Sequence, residues 1–398
     1  MKYALMIPDG AADMPVDCLE GRTPLQVADL PALRWIAAAG RLGTAGARPP
    51  GPGAGEAAAY LAALGYDPER YQCGEGALVA HARGLKTGPA DHVLCCDFVT
   101  VTDGQLRDFT AGFISPAEAA TLLGALNEAL GAEPFRFHDC GGYRNLLVWR
   151  DAGALPKLRT WPPETVLHRP VRRHMPRGSG SRPLYTLMLR AEALLAEHDV
   201  NTVRRDLGEN PASAIWLWGN GQLPETPPFR QRFGVRGVLV ARSEVLRGIG
   251  RVIGWEVVDL GARQSGPTVD YAAEGAAAVA AVDRCDLVCV HAAEPHILGM
   301  LGLTTAKIRA LEAFDRQVAG PLLDRLRREA EWRVLVIAAQ PGRMTEHPRP
   351  ELRGRTLCAL AGTGIESHRG DAFDEPTAAE GELHPERVSD LMEYFLRR

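Results

Sequence analysis

Four titratable side chains fall where a folded α/β chain keeps chemistry. Asp9 stands in a Pro-Asp-Gly loop directly after the apolar run YALMI at residues 3–7. A loop at the carboxyl end of a buried parallel strand is where such proteins bind ligands. Glu56 opens the small-residue stretch EAAAYLAALG after a Pro/Gly turn. In the first turn of a helix its carboxylate is stabilised by the dipole, and it reads either as a cap or as a general acid or base. His291 ends the apolar run DLVCVH, and His296 follows in AAEPH. His291 reads equally as a satisfied buried histidine and as a site group at a strand's carboxyl edge. Asp9 either serves loop amides or pairs with His296, which would make an oriented acid–base group. Asp9, Glu56 and His296 would also suffice as three ligands for one catalytic metal.

The elements that must hold these groups alternate. After the first strand, residues 24–40 carry helical periodicity with a Gly stop. Further buried-strand runs occur at 214–218, 237–241, 286–291 and 333–338, with helical stretches at 272–283 and 304–330 between them. This order predicts a mostly parallel sheet flanked by helices. Between 72 and 175 the texture changes to alternating strands around a Asp-Gly turn, a capped helix and the strand YRNLLVWR, which predicts an inserted α+β unit. The expected division is a core of 1–72 and 176–398 with a cap of 73–175. The Pro/Gly/Arg-rich segment 161–182, with Arg169, Arg172, Arg173, His174 and Arg177, reads as a flexible, solvated return linker.

The chain has 398 residues, 46% hydrophobic and 24% charged, with a formal net charge of −4. That length buries a sizeable core. Neither nucleic acid nor a membrane surface is an expected partner, because both require a concentrated positive field. Eight cysteines follow no CxxC spacing, which suggests reduced thiols in a cytoplasm and neither a disulfide framework nor a structural zinc. No run reaches membrane-span length, and the N-terminal apolar run is too short for a signal segment.

The motifs IPDG at 7–10, LGYDPERY at 64–71, DFVTVTDGQLRDFTAGFIS at 97–115, YRNLLVW at 143–149, HDVNTVR at 198–204, NPASAIWLWGNG at 210–221 and RGIG at 247–250 occur in order along nearly the whole chain. The chain resembles the archaeal-type cofactor-independent phosphoglycerate mutases of the alkaline phosphatase superfamily. The resemblance implies an alkaline-phosphatase-like core with an inserted cap, a serine that takes and returns a phosphoryl group, and two divalent metals. Asp9 keeps a metal-ligand position. Where Ser then Asp are implied, the chain has Glu56 then Ala57, and Tyr60 replaces an asparagine that contacts substrate or phosphate. His296 and Met300 stand where Asp and His ligands are implied, Thr268 where an Asp is, and Ala339 and Gln340 where Asp and His are; the nearest residue to the last implied His is His347. An implied substrate-binding arginine has become Cys95, next to Cys96, and buried cysteine is usually inert packing. Arg144, Arg204 and Arg247 match cationic positions of the family and would hold an anion by bidentate contacts, with Asn210, Trp218 and Asn220 in support.

These departures predict a diverged enzyme that uses no cofactor or metal. It would bind a small phosphate- or carboxylate-bearing metabolite between core and cap and carry out acid–base chemistry, in a specialised biosynthesis, with Glu56, Asp9, His296 and His291 as its titrating groups. Arg144, Arg204, Arg247, Asn210 and Tyr60 would contact the ligand. The alternative is a non-catalytic pseudoenzyme that binds a metabolite or a partner protein, and a weaker one keeps phosphoryl transfer on a single metal. A homo-oligomer stays open.

Overall fold

The computed structural model describes residues 1–47, 55–153, 155, 157–261, 269–340, 354–367 and 372–397. In chain order its strands are β1 (Lys2–Pro8), β2 (Arg41–Gly46), β3 (His92–Thr102), β4 (Gln105–Asp108), β5 (Phe135–His138), β6 (Arg144–Trp149), β7 (Ala214–Gly221), β8 (Gly237–Val240), β9 (Glu256–Val257), β10 (Leu287–Ala292), β11 (Trp332–Ile337) and β12 (Arg355–Gly362). Among the described residues seven of these form one sheet in the order β2-β12-β11-β1-β10-β8-β9. The run from β11 to β9 is parallel, and β12 lies antiparallel between β11 and β2. The mixed α/β fold with a helix-flanked, mostly parallel sheet therefore forms as its periodicity predicts.

β1 shows why its sequence is continuously apolar. Tyr3, Leu5 and Ile7 face one buried cluster and Ala4 and Met6 the other, so both faces of the strand are covered. On the Ala4 side lie the helices Pro31–Ala39, Ala272–Ala281 and Thr304–Phe314. The helix expected at 24–40 breaks ahead of Pro31 into Pro24–Val27 and Pro31–Ala39. The stretch expected at 304–330 is interrupted by a π-helical turn at Asp315–Ala319. Asp315 turns its carboxylate to the amides of Ala32 and Leu33, at 3.0 and 2.8 Å, and so caps the helix Pro31–Ala39.

The buried cluster on the Leu5 side extends through helices to a second sheet. β3 pairs antiparallel with β6 and β7, β4 returns along β3, and β5 extends beyond β6. The expected turn at Asp103 and Gly104 forms with φ of 52° and 70°. The helix Pro116–Leu130 carries a reciprocal capping box between Ser115 and Glu118. One assignment is corrected: the strand at 214 pairs with β3 in this second sheet, not in the parallel one. A buried strand's composition does not reveal its neighbour, and the second sheet consequently draws on chain beyond the expected boundary at 175.

The linker is also corrected. His168 donates to the Leu106 carbonyl at 2.7 Å and Val171 to that of Gly104 at 2.9 Å, which pins it to the β3–β4 hairpin, although its arginines are exposed. No described helix is long and apolar enough to cross a membrane. All eight cysteines are free.

Candidate functional site

Asp9 leaves β1 at its carboxyl end and is completely buried. The parallel register that sets Ile7 against His291 brings that imidazole to it, and His291 Nε2 lies 2.7 Å from Asp9 Oδ2. The Tyr60 hydroxyl donates to the same oxygen at 2.7 Å and Gln340 Nε2 at 3.3 Å. The Tyr60 ring stands edge-on to His291, with centroids 5.0 Å apart. The expected partner of Asp9 was His296, and the structure assigns that place to His291. Gly10, at φ 65°, lets the helix Glu294–Met300 come close, since a Cβ there would lie 2.5 Å from His296 Cα. His296 thus reaches the wall of the cavity while His291 stays behind Asp9.

Glu56 begins the helix Glu56–Ala63, and one turn later Tyr60 places its hydroxyl 3.0 Å from Glu56 Oε2. The phenol has one proton for two carboxylates. Burial, with Asp9 and Glu56 beside it, raises its pKa well above the usual value and keeps it neutral. Glu56 Oε1 accepts from Arg144 Nη1 at 2.7 Å. Arg144 also reaches Asp97 Oδ2 at 3.4 Å and lies 5.0 Å over the Trp218 ring. Burial alone would lower Arg144, but Asp97 and Glu56 outweigh it and raise its pKa. Burial pushes Asp97 up to about 6, against the pull of Arg144, and Glu164 up to about 7. Glu75, the first residue of the helix Glu75–Ala82, accepts from the Ala57 amide at 3.0 Å, and its pKa is raised well above the usual value by burial and then by Glu56.

These groups border a cavity of about 420 Å³ at the carboxyl edge of the parallel sheet, roofed by the second sheet's loops. Asp9, Glu56, Tyr60, Arg144, Arg247 and His296 all line it. Arg247 is aimed by the carbonyls of Val258 and Ala241, at 2.9 and 3.3 Å, and burial lowers its pKa. Met300 and Tyr60 form wall without filling the space. Arg204 and Asn210 are not there. Arg204 is buried, binds both oxygens of Glu118 at 2.9 and 3.1 Å and donates to the carbonyls of Asn210, Ala111 and Gly112. Asn210 donates to Asp108 at 2.8 Å. Their expected role in ligand contact is replaced by one in bracing the cap. Asn220 likewise accepts from Thr160 at 2.9 Å. Cys95 and Cys96 are buried packing whose thiols are pushed well up by burial.

Sequence reasoning missed Asp97, Glu75, Glu164 and Arg242. Asp97 sits in an alternating strand, where an acidic residue reads as solvent-facing, and Glu75 reads as an ordinary first-turn carboxylate. Arg242 was detectable, since it stands two residues past the end of β8, at the carboxyl edge of the sheet by the cavity.

The profile of 2,3-bisphosphoglycerate-independent phosphoglycerate mutases matches residues 37–201. A protein of that name from Methanothrix thermoacetophila is 37% identical over 405 aligned positions that cover both chains completely. The chain belongs to the archaeal-type cofactor-independent phosphoglycerate mutases. A second mutase-family relative, from Methanothermobacter thermautotrophicus, is 36% identical over all of this chain and 97% of its own. Among solved structures, a Pyrococcus horikoshii protein matches 99% of the chain with a TM-score of 0.72 at 22% identity. A cofactor-independent phosphoglycerate mutase from Thermoplasma acidophilum matches all of it at 0.55 and 24%. These two bear on the fold alone.

Membership corrects the functional expectation. Full-length relatives named as phosphoglycerate mutases overturn both the altered, metal-independent chemistry and the pseudoenzyme expected from the departures at Glu56 and Ala57. The departures concern individual side chains, whereas the similarity runs through the whole chain.

The two dications implied by the resemblance can be tested against the donors present. Asp9 Oδ2 is taken by three hydrogen-bond donors, and among the described residues no three His, Cys, Asp or Glu side chains group as metal ligands. Asp9, Glu56 and His296 do not form the single-metal set either. The described donor set does not fit a metal pair, and no step below is routed through one. Thr268 and His347 lie outside the described residues.

Proposed function

We propose that this chain moves a phosphoryl group between neighbouring hydroxyl oxygens of phosphoglycerate without 2,3-bisphosphoglycerate, the activity for which its full-length relatives are named. One observation carries the reading into the site. The cavity joins Arg144 and Arg247, both held by protein acceptors, to a wall with Arg83 and Arg242, a setting for a small molecule bearing a phosphate and a carboxylate. Its volume suits a small metabolite.

In the transfer the P–O bond to one glycerate oxygen breaks and one to the neighbouring oxygen forms. The proton of the accepting hydroxyl passes to the departing oxygen, so no further reactant is consumed. Glu56, fixed by Arg144 and Tyr60, borders the space such a ligand would occupy. The arginines neutralise charge on the moving phosphoryl. Within this reading the helix start carries Glu56 and Ala57 in place of the implied hydroxyl and carboxylate.

The test is phosphorus NMR of 3-phosphoglycerate incubated with the purified protein, with and without added bisphosphoglycerate. Equal conversion to 2-phosphoglycerate in both samples is expected. No conversion in either overturns the proposal.

A further inference from the structure

Glu75 serves a helix other than its own. Its carboxylate takes the amide of Ala57, the second residue of the helix that presents Glu56 and Tyr60 to the cavity. Three chain segments give up side chains around it. A Cβ on Gly55 would lie 2.0 Å from Glu75 Oε1, one on Gly219 would lie 3.2 Å from Glu75 Cβ, and one on Gly74 would lie 2.4 Å from the Cα of Gly221. Glu75 is 3% exposed, and its second carboxylate oxygen has no hydrogen-bond partner among the described residues. A buried carboxyl so served costs stability that an apolar residue of similar size would not.

We propose that Glu75 is a positioning residue for the site: by holding the Ala57 amide it fixes the helix start, and with it the Glu56–Arg144 pair and the Tyr60 hydroxyl. The contact stands on geometry, while its catalytic consequence rests on the mutase reading above.

Gly55 has extended backbone, φ −98° and ψ −153°, which alanine adopts freely, so Gly55→Ala disturbs the contact with Glu75 through its Cβ alone. Gly55→Ala and Glu75→Ala should each lower kcat about tenfold with KM within about twofold, the signature of misplaced groups. Gly55→Ala added to Glu75→Ala should cost nothing more, because the first acts through the second. Glu75→Gln, which keeps an acceptor oxygen, should restore kcat to within about threefold of the natural chain. A crystal structure of Glu75→Ala should show Glu56 and Arg144 more than about 4 Å apart. Losses that multiply in the double variant, or an intact Glu56–Arg144 pair in Glu75→Ala, overturn the proposal. If the natural chain does not convert phosphoglycerate, the mutase reading falls, and that crystal structure alone decides the positioning role.

Discussion

Arg144 and Glu56 meet across the boundary between the two sheets, Nη1 to Oε1 at 2.7 Å, from positions 88 residues apart. One opens β6 of the second sheet and the other opens a helix beside the parallel sheet. The pair therefore joins the two sheets at the wall of the cavity.

Replacing Arg144 with alanine should weaken 3-phosphoglycerate binding about 10- to 100-fold, the worth of a charge-assisted contact. Arg144→Lys should recover little, because an ammonium neither stacks on Trp218 nor bridges Glu56 and Asp97. Titration calorimetry with 3-phosphoglycerate reads both, and wild-type affinity in either removes Arg144 from the ligand site.

Arg204 behaves differently. Its removal strands Glu118 and several cap carbonyls, so Arg204→Ala should lose about 3 kcal/mol of stability in urea denaturation. Affinity for 3-phosphoglycerate should stay within about twofold, since Arg204 does not line the cavity.

Lys307 and Asp13 form a fully buried pair, Nζ to Oδ2 at 2.5 Å. Lys307→Met removes the buried cation beside the Asp13 carboxylate and should cost about 3–5 kcal/mol. Lys307→Met with Asp13→Asn should cost distinctly less than Lys307→Met alone, and equal losses in denaturation would show that the pair is not energetically coupled.

Glu375 accepts the Asp13 amide at 2.7 Å and the Thr23 hydroxyl at 2.6 Å, and burial pushes its pKa up to about 7. A carboxyl whose folded pKa is raised binds its proton more tightly folded than unfolded. Its contribution is present below the unfolded pKa and lost as pH rises through about 7. Asp97, pushed up to about 6, acts in the same direction. Stability should therefore fall from pH ~5 to pH ~8, and Glu375→Gln should flatten that fall, as read by denaturation at the two pH values.

Where a strand is covered on both faces, its sequence declares it: the runs in β1, β10 and β11 are mostly apolar, and the Asp103–Gly104 turn is equally plain. β7 has the same texture but belongs to the other sheet, because the choice of neighbour lies in long-range pairing with β3. The site was legible in its cavity-facing members Asp9, Glu56, Arg144, Arg247 and His296. The partner of Asp9 was not, since parallel register and not sequence distance sets His291 beside it. Arg204 shows the reverse error, as an arginine in a motif reads alike whether it meets a ligand or five protein acceptors.

The Gly74 amide donates to the Gln222 carbonyl at 2.9 Å, where Gly74 presses on Gly221. Among the described residues, every strand of the parallel-rich sheet comes from chain before or after that point, and none from the 146 residues between Gly74 and Gly221. That whole stretch departs and returns at a single spot. It is a detour in the path of the chain, one that could lengthen, shrink or be traded for another without reordering the strands beneath it.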